Sequence, residues 1–417
     1  MSTLLDPHTF PAGPRRPPGR WGALARRLEA VTPPGRERAI DGLRALAIAG
    51  VVVGHFLVMA LIVGRDGALH GTSPLEHLPA FAPLSWALQL LGLFFLVGGY
   101  SGARSLERAR ARGVRYGAWL RGRLVRLARP VAAAVVALSA ALLLLGLAGV
   151  PGGTLRTAAV MEVQPLWFIA VYLLVTALTP GWLALDRRLG AWAAAPGVLL
   201  VAVVDLLRYG PWHHVMPGWL GLVNVLPGWS FAYLLGIAWA HGRIGRRGSL
   251  LLAAGGGALG LLLVLRFGYP ASMVGVPGAA RVNSHPPSLL VPALAALQSG
   301  LAIRLRDRIE ALLRRPRLWA AVALANLGAM TIFCWHQIAL VTLTGATLLL
   351  APGGLPGLHD APDGPGWVLH RLAWFPAHLA VLSGFVVLAR RFESGGRGHH
   401  GGRRIPNPPG GRSWQSR

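Results

Sequence analysis

R-A-I-D-G-L-R-A-L-A-I-A-G-V-V-V-G-H, residues 38–55, begins in charge and continues as an apolar run of membrane length. Asp41, Arg44 and His55 are ionisable residues placed where a lipid-facing helix carries none. Such side chains are costly at membrane depth, so they usually face a bundle interior or a wet cavity. Arg44 and His55 are 11 residues apart, about three helical turns plus 20°, or roughly 16 Å along one face. Asp41 and Arg44, at i,i+3, are placed to pair. A simpler reading makes Arg44 a positive anchor and His55 a satisfied helix histidine. It accounts poorly for a histidine so far inside the span.

The remainder of the chain has the same character. Of 417 residues, 53% are hydrophobic and 13% charged, with mean hydropathy +0.51. A soluble domain carries about 25% charged residues. The composition predicts an all-α polytopic membrane protein. About ten spans are expected, near 40–63, 84–102, 130–150, 164–184, 191–207, 220–240, 249–267, 288–303, 328–350 and 367–389. Net charge is +26, and all 41 basic residues are arginine. Basic charge can signal nucleic acid. These arginines fall between the apolar runs, which argues against a nucleic-acid partner and for topology and contact with anionic membrane lipids. With the N-terminus inside, 34 arginines lie in inside segments and 6 outside, with Arg44 in the first span. Both termini are therefore expected in the cytoplasm, and the protein in the plasma membrane.

This organisation predicts a cytosolic basic tail over 1–38, a transmembrane domain over 39–390 and a second cytosolic tail over 391–417. Residues 1–20 and 392–417 read as disordered, with W-G-A-L-A-R-R-L-E-A-V (21–31) a short amphipathic helix on the inner membrane surface. No cleavable signal peptide is expected before the first span. The basic stretch 306–321 reads as an interfacial piece leading into a helix at 328. The single cysteine, Cys334, excludes an internal disulfide and a multi-cysteine metal site. No metal site is expected.

Several further stretches carry candidate chemistry. L-G-L-F-F-L-V-G-G-Y-S-G (91–102) contains Ser101, and its Gly98, Gly99 and Gly102 let another helix or a ligand approach closely. The loop after it, 104–129, holds nine arginines. Arg123 and Arg126, at i,i+3 before Pro130, suit a bidentate phosphate ligand such as a coenzyme A thioester. In E-V-Q-P-L-W-F (162–168), Glu162 is a solvated loop acid or an orienter of an acceptor hydroxyl. Trp167 reads as a membrane-belt anchor. I-F-C-W-H-Q (332–337) places a second intramembrane histidine, His336, for a helix-to-helix bond or a site role. Asp205 is expected to pair with Arg208.

In chain order, these stretches resemble the integral-membrane acyltransferase family that O-acylates sugars and other extracytoplasmic acceptors, the acyltransferase-three family. R-x-x-D-G-L-R-A-L-A-I with a histidine 11 residues past Arg44 is similar to its first helix. F-F-L-V-G-G-Y-S-G is similar to its F-F-x-x-S-G-[FY] segment, with Gly98 where that segment has serine. R-L-V-R-L-A-R-P resembles its Arg-x-x-Arg entry to the third helix, Q-P-L-W-F-I-A-V-Y-L-L its L-W-[FY]-L helix, and I-F-C-W-H-Q its late histidine helix. The likeness covers about residues 36–390. It implies acyl transfer from cytosolic acyl-CoA, a donor substrate with no bound cofactor, to a hydroxyl acceptor on a glycan, lipid or metabolite. It casts His55 as general base or acyl carrier. Arg44 would bind donor phosphate or offset oxyanion charge, and Arg123 and Arg126 would hold the donor's phosphates. The alternative from residues alone is a proton-coupled transporter or flippase of an amphipathic solute, since intramembrane His, Asp and Arg also serve proton relays. No internal repeat supports it.

Overall fold

A computed structural model describes residues 19–394 apart from 277 and 280, and of 391–394 the backbone alone. Most of both expected disordered tails lies outside the described residues. In order the elements are α1 (Arg20–Ala30), α2 (Arg38–Val58), β1 (Ala60–Val63), β2 (Leu69–Thr72), α3 (Pro74–His77), α4 (Leu84–Leu88), α5 (Leu91–Ala111) and α6 (Tyr116–Leu147). There follow α7 (Gly152–Val163), α8 (Leu166–Ala177), α9 (Thr179–Leu189), α10 (Ala195–Tyr209), α11 (Val225–Ala240) and α12 (Arg246–Phe267). The last five are α13 (Leu290–Leu312), α14 (Pro316–Leu327), α15 (Ala329–Leu350), α16 (Pro365–Ala373) and α17 (Phe375–Ser394).

Among the described residues, eight helical segments are long and apolar enough to cross a membrane, and α16–α17, bent by 42°, makes a ninth if it is one span. The expected run at 288–303 falls on α13, a 23-residue helix packed against α5, α11 and α12. Arg304, Arg306, Asp307 and Arg308 at its far end make it less apolar than the others. Several boundaries differ from those read off hydropathy. The first span ends at Val58, where the chain turns into the β1–β2 hairpin. The arginine-rich stretch before the third span is mostly helix: α6 begins at Tyr116 and runs through Pro130. The expected fourth span, 164–184, divides into α8 and α9 near Pro180, and Pro165 separates it from α7; each proline lacks a backbone donor. The basic stretch 306–321 is also divided. Its start completes α13 and its end opens α14 at Pro316, whose ring disfavours helix in the preceding residue.

Two glycine-lined crossings hold the core together. A Cβ added to Gly99 would collide with the Tyr233 carbonyl, and one on Gly236 with the Leu96 carbonyl, so α5 and α11 touch backbone to backbone. Gly98 and Gly102 face the rings of Tyr172 and Tyr233. These glycines therefore admit a helix, and the ligand reading of the stretch falls away. α1 docks on α14: the Trp319 indole donates to Thr32 Oγ1 at 2.8 Å, and Arg38 bonds Glu29 at 2.6 Å while lying over the Trp319 ring.

At the arginine-poor end, Asp205 does more than pair with Arg208, which lies at 3.8 Å. Its carboxylate accepts from Tyr269 Oη at 2.9 Å, the Leu289 amide at 2.7 Å and Asn224 Nδ2 at 3.0 Å. Asn283 donates to the carbonyls of Pro270 and Ser272. The loop from Gly268 to Leu289 is thus fastened over the helix ends.

Replacing Gly99 by Ala should cost about 3 kcal/mol or more, because the collision is with backbone. Gly117, whose added Cβ meets nothing within 4 Å, serves as the control. Monodisperse yield and thermal midpoint in detergent should fall for G99A and not for G117A.

Candidate active site

His55 lies in the last turn of α2 and His336 in the middle of α15. Their rings stack with centroids 4.9 Å apart and planes 12° from parallel. His55 Nδ1 lies 2.6 Å from His336 Nε2, and His336 Nδ1 lies 2.6 Å from the Phe333 carbonyl oxygen. A carbonyl only accepts, so His336 carries its proton on Nδ1. Neutral His336 then offers a lone pair at Nε2, and His55 must donate from Nδ1. What remains on neutral His55 is an unprotonated Nε2.

His336 is buried, whereas His55 is half-buried and lines a cavity of about 380 Å³. Gly50, Gly54 and His55 of α2 form one side of it. Trp167, His285, Phe333 and Gln337 are among the residues on the others. The Trp167 ring meets His285 edge-on, with centroids 3.7 Å apart, and packs against Trp229. Trp167 is therefore a cavity wall and not a belt anchor. The break at Pro165 starts α8 afresh, and its first turn points the indole inward.

The end of α2 is held by a residue near the start of the tenth expected span. Arg371 is fully buried. Its Nε donates to the Phe56 carbonyl at 2.9 Å, Nη2 to Met59 at 2.6 Å and Nη1 to Gly357 at 3.0 Å. The guanidinium also lies over the Phe56 ring, 4.4 Å from its centroid. The last carbonyls of a helix lack internal partners and carry its negative pole, so a cation there suits them twice over.

Arg44 belongs to a second cluster, at the arginine-rich end. It bonds Asp41 at 3.1 Å and Ser101 Oγ at 2.9 Å, with Asn326 Oδ1 at 3.5 Å. Asp41, buried, also takes Arg36 at 3.0 Å, and Asn326 donates to the Asp41 carbonyl. Arg123 bonds Ser105 Oγ at 2.6 Å and the Ser101 carbonyl at 3.3 Å. Ser101 thus touches both guanidiniums. Arg126 is exposed and has no partner among the described residues. The cavity wall reaches back along α2 to Gly50, and Arg44 lies six residues earlier, about 9 Å along the axis. Glu162 joins neither cluster. It is buried on α7, lines no part of the cavity and has no hydrogen-bond partner among the described residues.

A family model described as an acyltransferase domain matches residues 37–390. The chain belongs to the acyltransferase-three family. It is a multi-pass membrane enzyme that transfers acyl groups. No curated protein and no solved structure matches it.

The matched span of this acyltransferase contains both clusters entire, except Arg36. Sequence alone finds His55, His336, Arg44, Asp41 and Ser101, but not Asn326, Gln337 or Arg371. Gln337 had one signal, its place directly after His336 on an apolar helix.

The proton register makes a spectroscopic prediction. With ¹⁵N-histidine protein in bilayers, subtracting the H55A spectrum from wild type at neutral pH should leave one protonated Nδ1 and one unprotonated Nε2 for His55. An Nε2–H signal would refute the register.

Proposed function

We propose that this acyltransferase moves an acetyl group from acyl-CoA, bound at the arginine-rich and cytosolic end, to a hydroxyl of a glycan, lipid or metabolite held in the cavity, in the plasma membrane. The observation that carries this reading is the bond relay Phe333 carbonyl–His336–His55, which leaves a lone pair on His55 Nε2 at the cavity wall. A general base needs that state: unprotonated, oriented and within reach of the hydroxyl.

In the proposed reaction His55 Nε2 takes the proton of the acceptor hydroxyl as its oxygen attacks the thioester carbonyl. The tetrahedral intermediate collapses with cleavage of the C–S bond. The thiolate leaves and recovers the proton from His55, giving an O-acyl ester and free coenzyme A. Throughout, the Nδ1–H of His55 stays bonded to His336, which holds the ring in place.

The donor's phosphates are expected at the arginine-rich end. Arg44 and Arg123 are already engaged with Asp41, Ser101 and Ser105, so Arg126 offers the unengaged guanidinium. A pantetheine arm would run along α2 toward His55, roughly 16 Å from Arg44. The packing between Arg44 and Gly50 must open for it to pass.

His55→Ala should lower transfer from labelled acetyl-CoA to an extractable acceptor by about 10³-fold, with expression and thermal midpoint unchanged. Retention of wild-type transfer would remove His55 from the chemistry. Arg126→Ala should raise KM for acetyl-CoA about fivefold, roughly 1 kcal/mol, with kcat unchanged. An unaltered KM would exclude it from donor binding.

A further inference from the structure

Helices α1 and α14 meet at the arginine-rich end and leave an open groove of about 530 Å³ between them. Its floor is apolar, made by Ala25 of α1 and by Pro316 and Leu318 of α14. Arg26, Arg315 and Arg317 stand around it. All three are exposed, and none makes a hydrogen bond or ion pair among the described residues. No Asp or Glu lines the groove. Glu29, the one acidic residue of α1 and α14, bonds Arg38 at 2.6 Å. Glu310, at the end of α13, accepts from the Ala39 amide at 2.7 Å. The groove therefore presents three positive charges over an apolar floor, with no carboxylate to offset them.

Arg38, the first residue of the span α2, lies over the Trp319 ring, one residue past Leu318. This sets the groove at the level where α2 enters the membrane. On the same two helices Trp21, Leu24 and Leu318 are 44%, 37% and 40% exposed, as are the apolar residues of helices that lie in a membrane interface. A guanidinium at that level favours an anionic headgroup about fivefold. The chain's own termini do not suit the groove. Residues 1–18 hold two arginines and one aspartate, and residues 395–417 hold five arginines and no acid, so both carry the groove's own sign of charge. A second copy would bring the same arginine-rich end. What complements the groove is a phosphate joined to an apolar body.

We propose that the α1–α14 groove is a binding site for one anionic phospholipid. Its phosphate lies among Arg26, Arg315 and Arg317, and its glycerol and upper chains cover Ala25, Pro316 and Leu318. The site is separate from the cavity at His55 and stands whether or not His55 is the base. From the groove α14 runs to Asn326, which donates to the Asp41 carbonyl at 2.8 Å. The bound lipid thus steadies a helix that supports the Arg44 cluster.

The test titrates the full chain, in an uncharged detergent, with phosphatidylglycerol and with phosphatidylcholine, and counts bound lipid by native mass spectrometry. The wild type should hold one phosphatidylglycerol at least about tenfold more tightly than any phosphatidylcholine, and its thermal midpoint should rise with that lipid. Replacing Arg26, Arg315 and Arg317 together by Gln should abolish both the tight lipid and the rise. Replacing Arg187, Arg188 and Arg247 by Gln removes the same charge from exposed positions outside the groove and should leave both intact. Leu318→Glu, which sets a carboxylate in the groove, should weaken phosphatidylglycerol binding about tenfold without lowering the lipid-free midpoint. Equal binding of the two lipids, or equal loss in the two triple variants, would overturn the proposal. So would displacement of the lipid by inorganic phosphate or acetyl-CoA at constant ionic strength, which would assign the groove to a soluble anion.

Discussion

A polar group inside an apolar bundle has to find its partner within the bundle, because lipid offers none. Here that constraint links one feature to the next. The carbonyls of Phe56 and Met59, at the end of α2, are met by Arg371 from α16. This fixes the last turn of α2, and with it the His55 ring against His336. His336 is in turn fixed by the Phe333 carbonyl of its own helix. Three helices distant in sequence are thus tied by bonds whose direction leaves no freedom in where the protons sit. The backbone-to-backbone crossing of α5 on α11 supplies the rigid frame against which that geometry is held.

The same constraint sorts charge along α2. At its beginning, Asp41 lies between Arg36 and Arg44, with Ser101, Asn326 and Arg123 around them. At its end the groups that face the cavity are neutral. In the proposed reaction the polyanionic donor would lie at the guanidinium end of this helix, and the acceptor hydroxyl near its imidazole. Between them, Ala47, Ile48 and Gly50 are buried.

The features legible in sequence are those encoded locally. An ionisable residue in an apolar run marks itself, which is why Asp41, Arg44, His55 and His336 stand out. The helical class follows from hydropathy in the same way. Contacts between distant segments carry no such mark. His55 and His336 are 281 residues apart, and no spacing rule connects them. Arg371 sits in W-V-L-H-R-L-A-W, where its neighbours look like those of any interfacial arginine. Only the fold shows that it points inward to unpaired carbonyls. Trp167 misled for the same reason, since a tryptophan near a span end reads alike whether it faces headgroups or a cavity. Helix limits failed where hydropathy and helicity part company: arginines end an apolar run, but α6 and α13 continue through them because arginine is a good helix former.

Behind His55 stands a histidine, not a carboxylate. A carboxylate in that position would also select the Nδ1–H tautomer, but it would place a permanent charge in a low-dielectric interior, where desolvation is severe. Neutral His336 fixes the tautomer and the ring without that charge. In the proposed reaction the first charges then appear only during turnover. His55 becomes cationic as the oxyanion forms beside it, so the two arise as a close pair whose attraction is strong in this medium. The transition state of the proposed reaction thus supplies its own counter-ion. The weaker support that a neutral histidine gives to the imidazolium is offset by leaving no unpaired anion in the apolar core before the acceptor arrives.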